Sequence, residues 1–209
     1  MLLAEEIGDK TVMLECRDDL EPQANGILAN LKQTFTPQSE RLKHGFKIQY
    51  GFSMLCLMER TPDLLLCEPN FRGNPFLEWS NDVSTTLTVL LQQVDFLRSI
   101  EFPASDTIPA RFDDKIVLSK GCLSSQRIYL ERIEVTKEGD SGWYIGPVPP
   151  SREKPVYAAM RVYELLDLRP AALEVLCLPP GFLVVFDGDR IEGIEGPGGQ
   201  FQAPWRLNS

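Results

Sequence analysis

Histidine is nearly absent: His44 is the only one in 209 residues. That scarcity excludes zinc sites built on histidine clusters and leaves any histidine-based triad dependent on one residue. His44 lies in RLKHGFK, between an expected loop and an expected strand, where a surface turn histidine is the expected reading. Paired cysteines are absent too. Cys16, Cys56, Cys67, Cys122 and Cys177 are odd in number and widely spaced, with no Cys-x-x-Cys. Most sit in apolar runs, which predicts buried free thiols in a reducing cytoplasm rather than a disulfide framework or a metal site. No apolar run approaches the roughly 20 residues of a membrane helix. MLLAEEIGDK at the N-terminus has no basic region before its short apolar patch and is not expected to act as a signal peptide. Basic residues are outnumbered, 21 Lys+Arg against 30 Asp+Glu, for a net charge of −9. A phosphate backbone would be repelled, so no nucleic-acid partner is expected; a basic protein would be drawn in.

What is present is an ordinary globular composition, 43% hydrophobic and 24% charged, enough for one large domain or two small ones. The segment FPASDTIPARFDD (102–114) has two prolines, small polar residues and little periodicity, as a linker does. It predicts an N-terminal domain over 1–108 and a C-terminal domain over 109–209. The first holds 9 Lys+Arg against 16 Asp+Glu and the second 12 against 14, so the first carries most of the acidity.

In the first half, Thr11–Arg17 reads as a strand. Asp18 or Asp19 is placed to cap a helix running to about Thr34, with Ile27, Leu28 and Leu31 on one face. Phe46–Phe52, Met54–Glu59 and Asp63–Glu68 read as three strands. Val83, Leu87, Leu90, Leu91, Val94 and Leu97 recur at helical steps after a cap region at Asn81 and Asp82. In the second half, Lys115–Ser119, Arg127–Val135 and Trp143–Val148 read as strands and Val156–Leu168 as a helix. Leu173–Leu178 reads as a short strand, with a helix as the alternative, and Phe182–Phe186 and Arg190–Ile194 read as two more strands. The expected fold class is α+β: two small domains, each a mostly antiparallel sheet packed with one or two helices.

Few motifs point to chemistry. GIEGPGG (193–199) lacks the spacing and the Lys-Ser/Thr of a phosphate loop. Asp187-Gly188-Asp189 lacks the later ligands of a calcium loop and reads as a hairpin turn. Glu59, Asp63 and Glu68 lie near expected strand ends, where an acid pair is conceivable. FLEW (76–79) reads as a hydrophobic staple at a helix start, or as an exposed aromatic edge. The strongest local signal is EGDSGW (138–143). It reads as a turn in which Asp140 caps, Gly142 takes an unusual backbone angle and Trp143 enters a sheet. Trp143 and Tyr144 are candidate partner contacts, because large aromatics dominate interface energetics. Ser141 as a nucleophile would need a base within hydrogen-bond reach, and His44 is distant in sequence. No catalytic residue, metal ligand or cofactor is assigned.

The order of features from Ile116 to Gly146 resembles immunity protein family thirty-three. The matching features are Val117-Leu-Ser119-Lys120 on an opening strand, a conspicuous Arg132 in Tyr-Leu-Glu-Arg, and the Asp140–Trp143 block followed by an aromatic and a glycine. The chain continues GPVPP where family members have an acidic run. The resemblance covers roughly 112–190. Gly-Phe-Ser (51–53), Leu-Cys-Glu-Pro (66–69) and the Trp79 lead-in resemble a region that accompanies this domain in some bacterial proteins. The resemblance implies a soluble, cytoplasmic, non-catalytic bacterial protein that binds and neutralises a cognate protein toxin, with a basic toxin suiting the acidic chain. The loop and strand themselves supply the expected contact set, Arg132, Asp140, Ser141, Trp143 and Tyr144, because large aromatics and arginines dominate interface energetics. Two alternatives stay open: a regulatory or scaffold module for another protein, and a hydrolase using Asp140 and Ser141. The oligomeric state is open.

Overall fold

A computed structural model describes residues 1–135, 137–149 and 154–199, and the backbone of 201–202. The described chain is α+β and divides into two units, Met1–Gln92 and Gln93–Ser209.

The first unit opens with a strand that sequence reading missed. β1 (Leu2–Ile7) forms a hairpin with β2 (Lys10–Glu15). α1 (Glu21–Phe35) follows, then β3 (Lys47–Tyr50), β4 (Ser53–Arg60), β5 (Asp63–Pro69) and the two-residue β6 (Trp79–Ser80). The sheet order is β1-β2-β5-β4-β3, with β6 on β5. Only β2 and β5 run parallel among these pairs. Ala24, Ile27, Leu28, Leu31 and Phe35 recur at three- and four-residue steps on α1. They bury against Ile7, Val12, Leu14, Leu55, Leu57 and Leu66 of the sheet. The expected aspartate cap is absent. Asp19 is held by Arg17 and Asp18 by the N-terminal ammonium, and Leu20 occupies the cap position of α1 with no side-chain hydrogen bond. The aromatic staple is absent as well: Phe76 and Leu77 are exposed, while Trp79 pairs with Pro69 in the sheet.

The division between the units falls within α2 (Ser84–Ser99). Its first turn is well capped. Asp82 Oδ1 accepts the Ser84 N–H at 2.8 Å, and the Glu68 carboxylate accepts those of Thr85 and Thr86 at 3.3 and 2.6 Å.

The second unit contains β7 (Lys115–Ser119), β8 (Arg127–Arg132), β9 (Asp140–Pro147), β10 (Tyr157–Arg161), the one-turn helix α3 (Leu165–Leu168), β11 (Leu183–Asp187), β12 (Arg190–Glu195) and β13 (Phe201–Gln202). The sheet order is β10-β7-β9-β8-β11-β12-β13, with β7 and β9 parallel. The expected helix at Val156–Leu168 is a correction. Tyr157–Arg161 is a strand antiparallel to β7, and helix begins only at Val162. A short run such as YAAMR fits either period, and the unpaired edge of β7 decides: a strand there satisfies its N–H and C=O groups. At Leu173–Leu178 the helical alternative holds in place of the strand. Pro170–Val175 is a 3-10 helix, bounded by prolines that cannot donate to a ladder. Asp187 pairs with Arg190 across the expected hairpin turn.

One face of this sheet is core. Ile116, Leu118, Ile128, Leu130, Trp143, Ile145, Val184 and Phe186 alternate inward and are all buried. The residues between them point the other way.

Candidate functional site

The site is built where β8, β9 and β7 meet. Between Lys115 and Val117 the pairing of β7 with β9 slips, so that Lys115 faces Asp140 while Val117 faces Tyr144. Ser141, Gly142 and Trp143 of β9 stand against Ile116 alone of β7, two residues in excess, a bulge of the kind that redirects side chains. Three devices hold it. Asp140 Oδ1 accepts the Gly142 N–H at 3.0 Å. Ser141 Oγ donates to the Lys115 carbonyl at 2.7 Å and accepts the Trp143 N–H at 3.1 Å. Gly142 has φ +75°, and a Cβ there would lie 2.4 Å from the Ile133 carbonyl oxygen, so only glycine fits without backbone movement.

Arg132 lies beneath the bulge, 6% exposed. Its Nε donates to the Ser141 carbonyl at 3.0 Å and its Nη1 to the carbonyls of Ile108 and Leu178. Its guanidinium carbon is 5.6 Å from the centre of the Trp143 ring, within cation–π range. Burial pulls its pKa below the ordinary arginine value, and Asp114 partly opposes that. Arg132 therefore joins three backbone carbonyls from three segments. Trp143 is 1% exposed and Ser141 1%. With both functions of its hydroxyl engaged by backbone, Ser141 lacks the hydrogen-bonded base an activated nucleophile needs. In the first unit, His44 Nδ1 accepts the Glu59 N–H at 3.1 Å, a turn-fixing bond.

The five residues singled out from sequence are thus contiguous but unequal. Arg132, Ser141 and Trp143 are buried; Asp140 and Tyr144 are half-exposed. Tyr144 opens onto a surface that sequence reading missed. Its ring lies 5.8 Å from that of Tyr129 on β8 and 6.1 Å from that of Tyr157 on β10, and its hydroxyl is 2.7 Å from Ser119 Oγ. Tyr129 lies flat over Gly146, where a Cβ would meet the ring at 2.5 Å. Val117, Leu183 and Val185 extend the same face and are half-exposed. The signal was available: Arg127, Tyr129 and Glu131 alternate with Ile128, Leu130 and Arg132, so the tyrosine falls on the outer side.

The conceivable acid pair is not formed as a triplet. Asp63 faces Arg60 at one end of β5, and Glu68 sits at the other. Glu68 is 3% exposed. Burial pushes its pKa up to about 7 against the opposing bonds from Thr86 and Thr85. It borders a cleft of ≈ 330 Å³ lined with Arg17, Asn70, Arg72, Asp82 and Thr85. All five cysteines are free and buried. Among the described residues no helix is long and apolar enough to cross a membrane.

Residues 92–195 match the family model of the Imm33-like domain. The second half of the chain is accordingly an Imm33-like domain, of an immunity-protein type. No curated protein and no solved structure matches the chain.

Proposed function

We propose that this chain is a non-catalytic cytoplasmic immunity protein of bacterial origin that neutralises a cognate protein toxin by binding it. The observation that carries the reading is the match to the Imm33-like domain over 92–195. Charge supports it: at −9 the chain attracts a basic toxin and steers its approach. The proposed contact set is Arg132, Asp140, Ser141, Trp143 and Tyr144. Asp140 and Tyr144 supply the accessible atoms. Arg132, Ser141 and Trp143 keep the bulge rigid, which lowers the entropy lost on docking.

The test is to isolate the partner by pull-down from the source cells and to co-express it with this chain. Protection of the cells and co-purification of a stoichiometric complex are expected, with Asp140→Lys weakening the complex about tenfold or more, the cost of one reversed interface charge. Cells that die despite soluble, folded protein would remove the immunity reading. A stable complex with a non-toxic protein would instead favour a regulatory module.

A further inference from the structure

We propose that the tyrosine face of the second sheet is the interface of a homodimer. This inference does not depend on the toxin reading. The occupant is a second copy of this chain, docked face to face about a two-fold axis running along β9, and the register of the sheet is what points to it.

An isologous interface needs a surface complementary to itself. Rotation about an axis parallel to β9 keeps each residue's level along the strands and exchanges the two sides of the sheet. The neighbours of β9 are β7 on one side and β8 on the other, and beyond them lie β10 and β11. The registers then set the contacts. Tyr144 lies on the axis and meets its own copy. Tyr129 and Gly146 share a level with Val185, and Tyr157 shares one with Ser119. Tyr129 on β8 therefore comes opposite Ser119 on β7 of the second copy. Tyr157 on β10, 62% exposed, comes opposite Val185 on β11. Tyr129 and Tyr157 thus face smaller side chains, Ser119 being a recess only 8% exposed beneath the Tyr144 hydroxyl, while Tyr144 packs on its own copy; that relief lets two sheets approach to about 10 Å.

Charge follows the same symmetry. Lys115 on β7 and Glu131 on β8 are both exposed on this face, and neither has an ion-pair partner among the described residues. The exchange of sides brings Lys115 of one copy towards Glu131 of the other, twice. Glu131 pairs with Tyr144 and Lys115 with Asp140, so the two differ by one pleat repeat, about 7 Å. The flexible lysine stem spans that distance. Docked this way, both Asp140 turns lie at the same end of the dimer.

Sedimentation velocity of the whole chain tests this directly. A concentration-dependent species of twice the 23.6 kDa chain mass is expected for wild type. Lys115→Glu and Glu131→Lys each set like charges opposite one another and are expected to weaken the dimer at least about tenfold. The double exchange, Lys115→Glu with Glu131→Lys, is expected to restore it. Both positions are exposed, so folding is not at stake; circular dichroism checks that. A wild type monomeric throughout the accessible range overturns the proposal. So does a dimer unmoved by either single change, which runs through another surface, and so does a double exchange no better than the single ones.

Discussion

Glu68 in the first unit and Arg132 in the second are both buried charges, and the chain compensates them in opposite ways. Glu68 reaches the first turn of α2, where two backbone N–H groups point at its carboxylate; the helix supplies donors it would otherwise leave to water. Arg132 reaches three carbonyls contributed by Ile108, Ser141 and Leu178. No helix end is involved, and the guanidinium fork is what spans them. The difference is one of reversibility. A carboxylate raised to about 7 changes charge within a cell's pH range, whereas an arginine stays charged even when burial lowers its pKa. The first unit thus carries a titratable capping group and the second a permanent cross-link.

Four outcomes break or sharpen that contrast. The largest belongs to Trp143, the ring packed against the Arg132 guanidinium. Trp143→Ala is expected to lower unfolding free energy by about 3–5 kcal/mol, read as a shift in the denaturant midpoint. A variant with native stability would mean that the ring contributes nothing to the core. Arg132→Met is next, at about 2–3 kcal/mol, since it retains bulk but leaves buried carbonyls unpaired. Arg132→Lys is expected to recover only part of this, because one ammonium cannot reproduce the fork. Full recovery would reduce Arg132 to a point charge.

The third outcome concerns pH. The folded pKa of Glu68 is raised from 4.5 to about 7, so the folded state holds the proton more tightly than the unfolded one. Its contribution is fully present below about pH 4.5 and is lost as pH rises through about 7. The loss is expected to be about 3 kcal/mol, the opposing bonds from the start of α2 being already reflected in that pKa. Glu68→Gln should flatten the stability profile in that window, as measured by urea unfolding from pH 4.5 to 8. An equally steep profile in the variant assigns the dependence elsewhere. The smallest effect is at Asp140: Asp140→Asn retains an acceptor for the Gly142 N–H, and stability is expected to move by no more than about 0.5 kcal/mol. A larger loss would mean that the carboxylate charge, and not only its acceptor oxygen, holds the bulge.

Much of the strand pattern was legible because alternation survives in isolation. β8 and β11 fall within three residues of their expected bounds because each has one buried face, and β5, buried at six consecutive positions, stood out as a continuous apolar run. β10 was misread because five residues cannot distinguish period 2 from 3.6, and its identity comes from the edge of β7. β1 was missed because LLAEEI buries only Ile7 fully. At the candidate site the block Asp140–Trp143 was visible as turn chemistry. The burial of Arg132 was not, since its three acceptors come from positions 24, 9 and 46 residues away. The boundary at 108/109 read from composition is likewise a proposal about folding units. Limited proteolysis that cuts first within 102–114 supports it, and a first cut elsewhere replaces it.

The five thiols give this chain a set of internal clocks. Burial holds Cys67 and Cys122 at about 11 and Cys177 at about 12, so each stays protonated and unreactive while its surroundings are closed. Alkylation then proceeds only as fast as the chain opens locally. Cys16, Cys56 and Cys67 time the first unit, and Cys122 and Cys177 the second. Mass spectrometry of a labelling time course would therefore yield two separate opening rates from the unmodified sequence, and a bound partner would slow only the clocks of the unit it holds shut.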